Sequence, residues 1–143
     1  MLQISDDLKS FLSNEVLDGL DISPEALGSD SLIDLKKHTF KVIDATKDYA
    51  VAYKPNFAFF ERFGSKGYAL LEKLVDHING RAIVIADAKR GDIGNTSRQY
   101  AKAILDNMGC DAITISPYMG RDAIEPFLEN PAKGAFVLTI IEI

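Results

Sequence analysis

Residues 82 to 86, Ala-Ile-Val-Ile-Ala, form an apolar run without polar interruption, and a dense polar cluster, 87 to 96, follows it directly. A strand with one face in water alternates polar and apolar side chains; an unbroken run fits a parallel strand covered on both faces. Parallel strands need crossover connections, and the rest of the chain supplies them. Residues 31 to 48 carry Leu32, Leu35, Phe40, Val42 and Ile43 at helical spacing, with Ser31 and Asp34 as a capping-box start. Residues 49 to 53 read as a short strand stopped by Pro55. A helical segment broken at Gly64 resumes through Tyr68, Leu71, Leu74, Val75 and Ile78 and turns at Asn79-Gly80.

The central strand, 81 to 87, leads to a helix capped by Thr96 with Gln99, faced by Tyr100, Ala103, Ile104 and Met108 and ended by Gly109. A strand at 111 to 116, a Pro117-Tyr118-Met119-Gly120 loop, a short helix capped by Asp122 and reaching 129, and a strand at 135 to 141 complete the pattern. An earliest strand at 15 to 21 is opposed by Asn14, Asp18 and Gly19. A strand-to-strand spacing of about 30 residues implies right-handed βαβ units.

With 16 Lys plus Arg against 21 Asp plus Glu, the net charge of −5 argues against a nucleic-acid binder held by a basic surface. The 47% hydrophobic and 26% charged content rules out disorder. Cys110 is the single cysteine, which excludes an internal disulfide and clustered-cysteine zinc sites and fits a reducing compartment. The acidic start Met-Leu-Gln-Ile-Ser-Asp-Asp is unlike a secretory signal, and no window approaches the roughly 20 apolar residues of a membrane span. The expectation is one soluble, cytoplasmic domain over 1–143, without membrane or nucleic-acid partners.

Parallel α/β sheets gather their ligands outside the carboxyl ends of the strands. There the central strand presents Asp87-Ala88-Lys89-Arg90-Gly91-Asp92-Ile93-Gly94-Asn95-Thr96. If the strand continues past Asp87, Asp87 and Lys89 share a face. A carboxylate beside a lysine keeps the amine protonated, and such an amine can hand a proton to a carbanion forming on a substrate. An ordinary ion-paired loop is the alternative reading. The preceding strand ends in Tyr53-Lys54-Pro55-Asn56, which brings a second lysine to the same rim. Asn95 and Thr96 at the next helix start would offer donors to a hydroxyl or phosphate, or serve only as a cap.

Ile43-Asp44-Ala45-Thr46, Ala52-Tyr53-Lys54-Pro55-Asn56, the 87 to 96 element and Pro117-Tyr118-Met119-Gly120 together resemble the orotidine 5'-phosphate decarboxylase family, in its longer-chain subgroup. The Asp-x-Lys-x-x-Asp element is shared with related sugar-phosphate barrels; its continuation into Ile-Gly-Asn-Thr and the Tyr-Lys-Pro-Asn element make the likeness specific. The resemblance implies an α/β fold of the (β/α)8 barrel type with about the first five βα units present. It implies decarboxylation of orotidine monophosphate to uridine monophosphate, in pyrimidine biosynthesis, without metal or organic cofactor. By the same likeness Lys89 is the proton donor to the pyrimidine, Asp87 faces the departing carboxylate, and Lys54 holds the charge network and contacts the ribose. Asp92, with Ile93 and Thr96, would reach into the partner subunit's site of a homodimer. Asn56 and Asp21, the latter from Gly19-Leu20-Asp21, complete the implied substrate-binding set.

The likeness is dense from about Phe40 to Val137, and 143 residues fall short of the ~200 to 250 of a closed barrel, so a truncated form is expected. Two rivals accompany this reading. One is a magnesium-dependent sugar-phosphate decarboxylase or synthase of the same barrel group. The other is a non-catalytic remnant that binds a ligand or a partner chain. His38 and His77 lack a third ligand nearby, Cys110 reads as buried, and Tyr118 and Met119 either line the pocket mouth or serve the turn. Phe57, Phe59, Phe60 and Phe63 at helical spacing read as core or interface.

Overall fold

The computed structural model describes residues 16–78 and 80–139, the first three of these by backbone alone. Five parallel strands lie side by side in sequence order: β1 (Val16–Gly19), β2 (Ala50–Lys54), β3 (Ile83–Arg90), β4 (Ala112–Ile115) and β5 (Gly134–Val137). The intervening helices are α1 (Pro24–Leu27), α2 (Leu32–Thr46), α3 (Ala58–Glu61), α4 (Ser65–Ile78) and α5 (Gly94–Ala101), which runs on as a π-helical stretch over Lys102–Asn107. β1 forms despite Asp18 and Gly19, because pairing with β2 supplies what local propensity does not. Residues 14 and 15, Asn79, and the expected strand end at 140 to 141 lie outside the described residues.

Two kinds of packing distinguish the sheet faces. On the helix side Tyr53, Val84, Ala86, Ile113 and Ile115 join Leu35, Ile43, Phe60, Leu71 and Leu74 in one buried core. The other face carries a separate cluster, Ala52, Ile85 and Ala112, to which no helix among the described residues contributes. The period of two along each strand then sends the next inward positions, Lys54, Asp87 and Thr114, to that face at the carboxyl ends. Tyr53, fully buried, fixes β2 against α2 by donating to the Ile43 carbonyl (3.2 Å) and meeting Thr46 Oγ1 at 2.9 Å.

Several local expectations change. Ser31 caps α2 by accepting from Ile33 N–H at 3.2 Å, but Asp34 takes the Ser29 hydroxyl (2.6 Å) instead of closing a capping box. α5 starts at Gly94, with Ile93 at its cap position, so Thr96 lies inside the first turn and is not the cap. Asp122 likewise caps no helix: residues 121 to 127 form two 3-10 turns, Arg121–Ala123 and Glu125–Phe127, where Pro126 and Gly120, at φ 85°, disfavour a continuous α-helix. β3 reaches Arg90, so Ala88 and Lys89 belong to the strand end and not to a loop. Pro55 ends β2, yet pairing continues past it: Asp87 N–H donates to the Pro55 carbonyl (3.0 Å) and Phe57 N–H to the Asp87 carbonyl (3.1 Å). Phe57 and Phe60 are buried, and Phe59 and Phe63 pack against the core, as the aromatic spacing suggested. No helix among the described residues is long and apolar enough to cross a membrane.

Candidate active site

Four charged side chains of alternating sign stand in a row across β1 to β3: Asp21, Lys54, Asp87 and Lys89. Lys54 Nζ is 2.9 Å from Asp87 Oδ2 and 3.7 Å from Asp21. The other Asp87 oxygen accepts from Lys89 Nζ and from Thr114 Oγ1, the latter at 3.0 Å. Both oxygens of one buried carboxylate are therefore occupied, each by a different ammonium group.

The electrostatics follow from this crowding. Burial alone would raise the Asp87 pKa, but hydrogen bonds from Lys89, Lys54 and Thr114 outweigh it and hold the carboxyl below its ordinary value. For Lys54, burial pulls the ammonium down while the Asp87 hydrogen bond and the charges of Asp21 and Asp87 pull it up, and the result lies above the ordinary lysine value. At neutral pH this makes a fixed anion with a fixed cation beside it. The Lys89 side chain is 52% exposed, against 37% for Asp21, 28% for Lys54 and 8% for Asp87, so it is the most open member of the row.

The backbone contributes through an irregularity. Between the pairs Ala86↔Ile113 and Arg90↔Ile115, β3 takes four steps while β4 takes two, a bulge that turns the strand end. Lys89 sits in it at φ 49°, and among the described residues it is the only non-glycine at positive φ. This left-handed conformation costs on the order of 1 kcal/mol. It is held by Lys89 N–H donating to Thr114 Oγ1 (2.9 Å), the same hydroxyl that donates to Asp87. Lys89 and Asp87 thus meet through the bulge and not through regular strand alternation. The turn continues into Gly91, where a Cβ would lie 2.5 Å from the Ser116 carbonyl oxygen, so only glycine fits.

Among the described residues the remaining candidates make no side-chain bond to the row, although Asn56 lies opposite Asp87 across a β-bridge. The Asp92 carboxylate accepts from the Ile93 N–H at 2.7 Å, and among the described residues it makes no bond to the row. Its loop is pinned by Ser97, fully buried, which accepts from Asp92 N–H (3.1 Å) and donates to the Asp92 carbonyl (2.8 Å). Ile93 is 51% exposed. Thr96 meets Asn95, and Asn56 caps its own turn by accepting from Ala58 N–H at 3.2 Å. Tyr118 and Met119 are exposed on the loop after β4.

Cys110 is buried and its thiol is pushed up to about 12, mainly by burial, so it stays protonated. His77 pairs with Asp44 (2.8 Å) and packs on the Phe40 ring, and His38 borders a small cavity beside Asp21. Among the described residues no three His, Cys, Asp or Glu side chains cluster closely enough to hold a metal ion. Thr114 and Ser97 were missed from sequence: a threonine in Ala-Ile-Thr-Ile is a good strand former, and a serine inside a helix carries no signal of its loop partner.

Sequential parallel strands with outer helices and a charged row at the strand ends define the chain as part of a (β/α) barrel. The profile of the "Orotidine 5'-phosphate decarboxylase / HUMPS family" matches residues 2–142, and the chain belongs to that family. Among curated relatives, an orotidine 5'-phosphate decarboxylase of Christiangramia forsetii is 51% identical over 102 residues, 69% of this chain and 38% of the relative. One of Natronomonas pharaonis is 48% identical over 124 residues, 84% of this chain and 45% of the relative. The Leishmania donovani OMP decarboxylase structure superposes with a TM-score of 0.80 at 38% identity, over 92% of this chain and 51% of the other. Leishmania donovani UMP synthase gives 0.81 at 38% identity, over 92% of this chain and 29% of the other. The chain thus spans less than half the length of these curated relatives, 38% and 45%.

Proposed function

We propose that the site performs the decarboxylation of orotidine 5'-phosphate to uridine monophosphate. The observation that carries this reading is Asp87 with each carboxylate oxygen held by a different lysine, one of them exposed. Asp87 stays ionised and faces the substrate carboxylate, while the neighbouring ammonium groups keep its charge in place. The bond from the pyrimidine carbon to the carboxyl carbon breaks, carbon dioxide leaves, and the electron pair stays on the ring carbon. Lys89 Nζ supplies the proton that quenches this carbanion, and solvent returns a proton to the amine. Charge arranged before the reaction favours the carbanion over the bound carboxylate, with binding of the remote phosphate supplying part of the energy.

Lys54 holds the row together and, with Asp21 and Asn56, contacts the ribose. Asp92, Ile93 and Thr96 serve the site of a second subunit, so the working form is a cytoplasmic homodimer. Occupation of both Asp87 oxygens by ammonium groups leaves them poorly suited to a divalent cation, which supports the cofactor-free reaction over a magnesium-dependent one.

The test is the ultraviolet absorbance change on mixing the chain with orotidine monophosphate, with Lys89→Ala as the blank. We expect a decrease in absorbance that Lys89→Ala slows by at least about 100-fold, the contribution of a positioned general acid. Turnover retained by Lys89→Ala removes Lys89 from the role, and loss of activity with a chelator favours the magnesium-dependent reaction.

A further inference from the structure

Arg90 leaves β3 on the side opposite Lys89 and enters the helix layer. Its Nη2 meets Glu61 of α3 and lies 3.3 Å from the Tyr68 hydroxyl of α4, which itself donates to Glu61 at 2.7 Å. The guanidinium carbon lies 5.5 Å from the Tyr100 ring centre. From this anchorage Nη1 donates to the Ala88 carbonyl at 3.0 Å, the peptide unit immediately before the left-handed Lys89. The Arg90 carbonyl in turn accepts from Ser116 N–H at 2.7 Å.

We propose that Arg90 is a positioning residue for Lys89. Its guanidinium, tied to Glu61 and Tyr68, holds the Ala88 carbonyl and so fixes the left-handed turn that aims the Lys89 ammonium at Asp87. Thr114 grips the same turn from the inner face through the Lys89 N–H, so the single peptide unit joining Ala88 and Lys89 is held at both ends, its carbonyl by Arg90 and its N–H by Thr114. A planar fork suits this geometry, since one terminal nitrogen takes Glu61 while the other reaches the carbonyl. Among the described residues Arg90 Nε is buried without a partner, so the terminal nitrogens alone set the orientation of the group. The proposal rests on the decarboxylase reading only for the reaction that Lys89 serves.

A plain structural strut would affect stability throughout the chain, whereas a positioning residue acts on the Lys89 backbone. The two separate by nuclear magnetic resonance on the 143-residue chain. The one-bond Cα–Hα coupling of Lys89 distinguishes positive from negative φ, and its amide exchange reports the bond to Thr114. Arg90→Lys keeps the charge but cannot fork. We expect its Lys89 coupling to move toward the negative-φ range. Its Lys89 amide should exchange about tenfold faster relative to those of Leu71 and Ile113, the change that loss of one charged hydrogen bond produces.

An unchanged coupling, with Lys89 exchange altered no more than that of Leu71 and Ile113, overturns the proposal. Glu61→Gln, which loosens the anchor with little change of shape, is read in the same way and decides the matter if Arg90→Lys does not fold. Arg98→Met, which breaks the exposed pair with Glu129, serves as the control that leaves Lys89 unmoved. Turnover separates this proposal from the reaction assignment. If Lys89→Ala leaves turnover intact, Lys89 loses its role as proton donor, while the Lys89 coupling still judges Arg90.

Discussion

At the scale of single residues, the site depends on one carboxylate being satisfied three ways, by Lys54, by Lys89 and by Thr114. Thr114 is the neutral member, and its hydroxyl links Lys89 N–H to Asp87. Thr114→Val is nearly the same shape but leaves that amide and one carboxylate bond unmatched, so urea denaturation should show a loss of about 1–3 kcal/mol. Thr114→Ser should recover most of it. The charges also predict a pH dependence. Because the folded Asp87 value lies below the unfolded one, the unfolded chain binds more protons between the two values. The stabilisation is then present above the unfolded carboxylate value and is lost as pH falls through the folded one. For Lys54 the sign reverses: its contribution is complete below the unfolded lysine value and disappears as pH rises through the folded value. The urea midpoint of the wild type should therefore fall between about pH 6 and about pH 3 more steeply than that of Asp87→Asn. Equal slopes would remove Asp87 from the acid limb.

At the scale of elements, close approach of backbones decides what the sequence can vary. Gly67 lies in the first turn of α4 against α3, where a Cβ would lie 1.8 Å from the Phe60 carbonyl oxygen. No side-chain rearrangement relieves a clash with a carbonyl, so Gly67→Ala should cost about 3 kcal/mol in a denaturation measurement. A loss under 1 kcal/mol, roughly, would mean that the two helices separate freely. Much of this level was legible in the sequence. The apolar runs located β2 to β4, and Gly64 marked the break between α3 and α4. The strand-end positions of Lys54, Asp87 and Lys89 followed from polar residues placed directly after apolar ones. What escaped depended on partners distant in sequence. β1 exists because β2 pairs with it, and Ser29 displaced Ser31 as the partner of Asp34. The bulge at Lys89 gave no signal, because a lysine does not announce a left-handed conformation as a glycine does.

For the whole molecule, the carboxyl ends of the strands carry both the charged row and an exposed apolar set, Ile93 at 51%, Met119 at 48% and Tyr118 at 91% exposure. The homodimer reading gives these side chains a neighbour. Ile93→Glu should shift sedimentation from dimer toward monomer while leaving the circular dichroism spectrum intact; a monomeric wild type would refute the shared site. Sheet order has a different consequence. Each strand pairs with the one preceding it in the chain, so a ribosome releases the parts of the site in the order in which they lie across the sheet. Asp21, Lys54, Asp87 and Lys89 emerge with the first three strands, and Thr114 follows with the fourth. On a growing chain the opposite charges can already attract one another before the hydroxyl that fixes their geometry has left the exit tunnel. Among these five side chains the last to arrive is then the uncharged one.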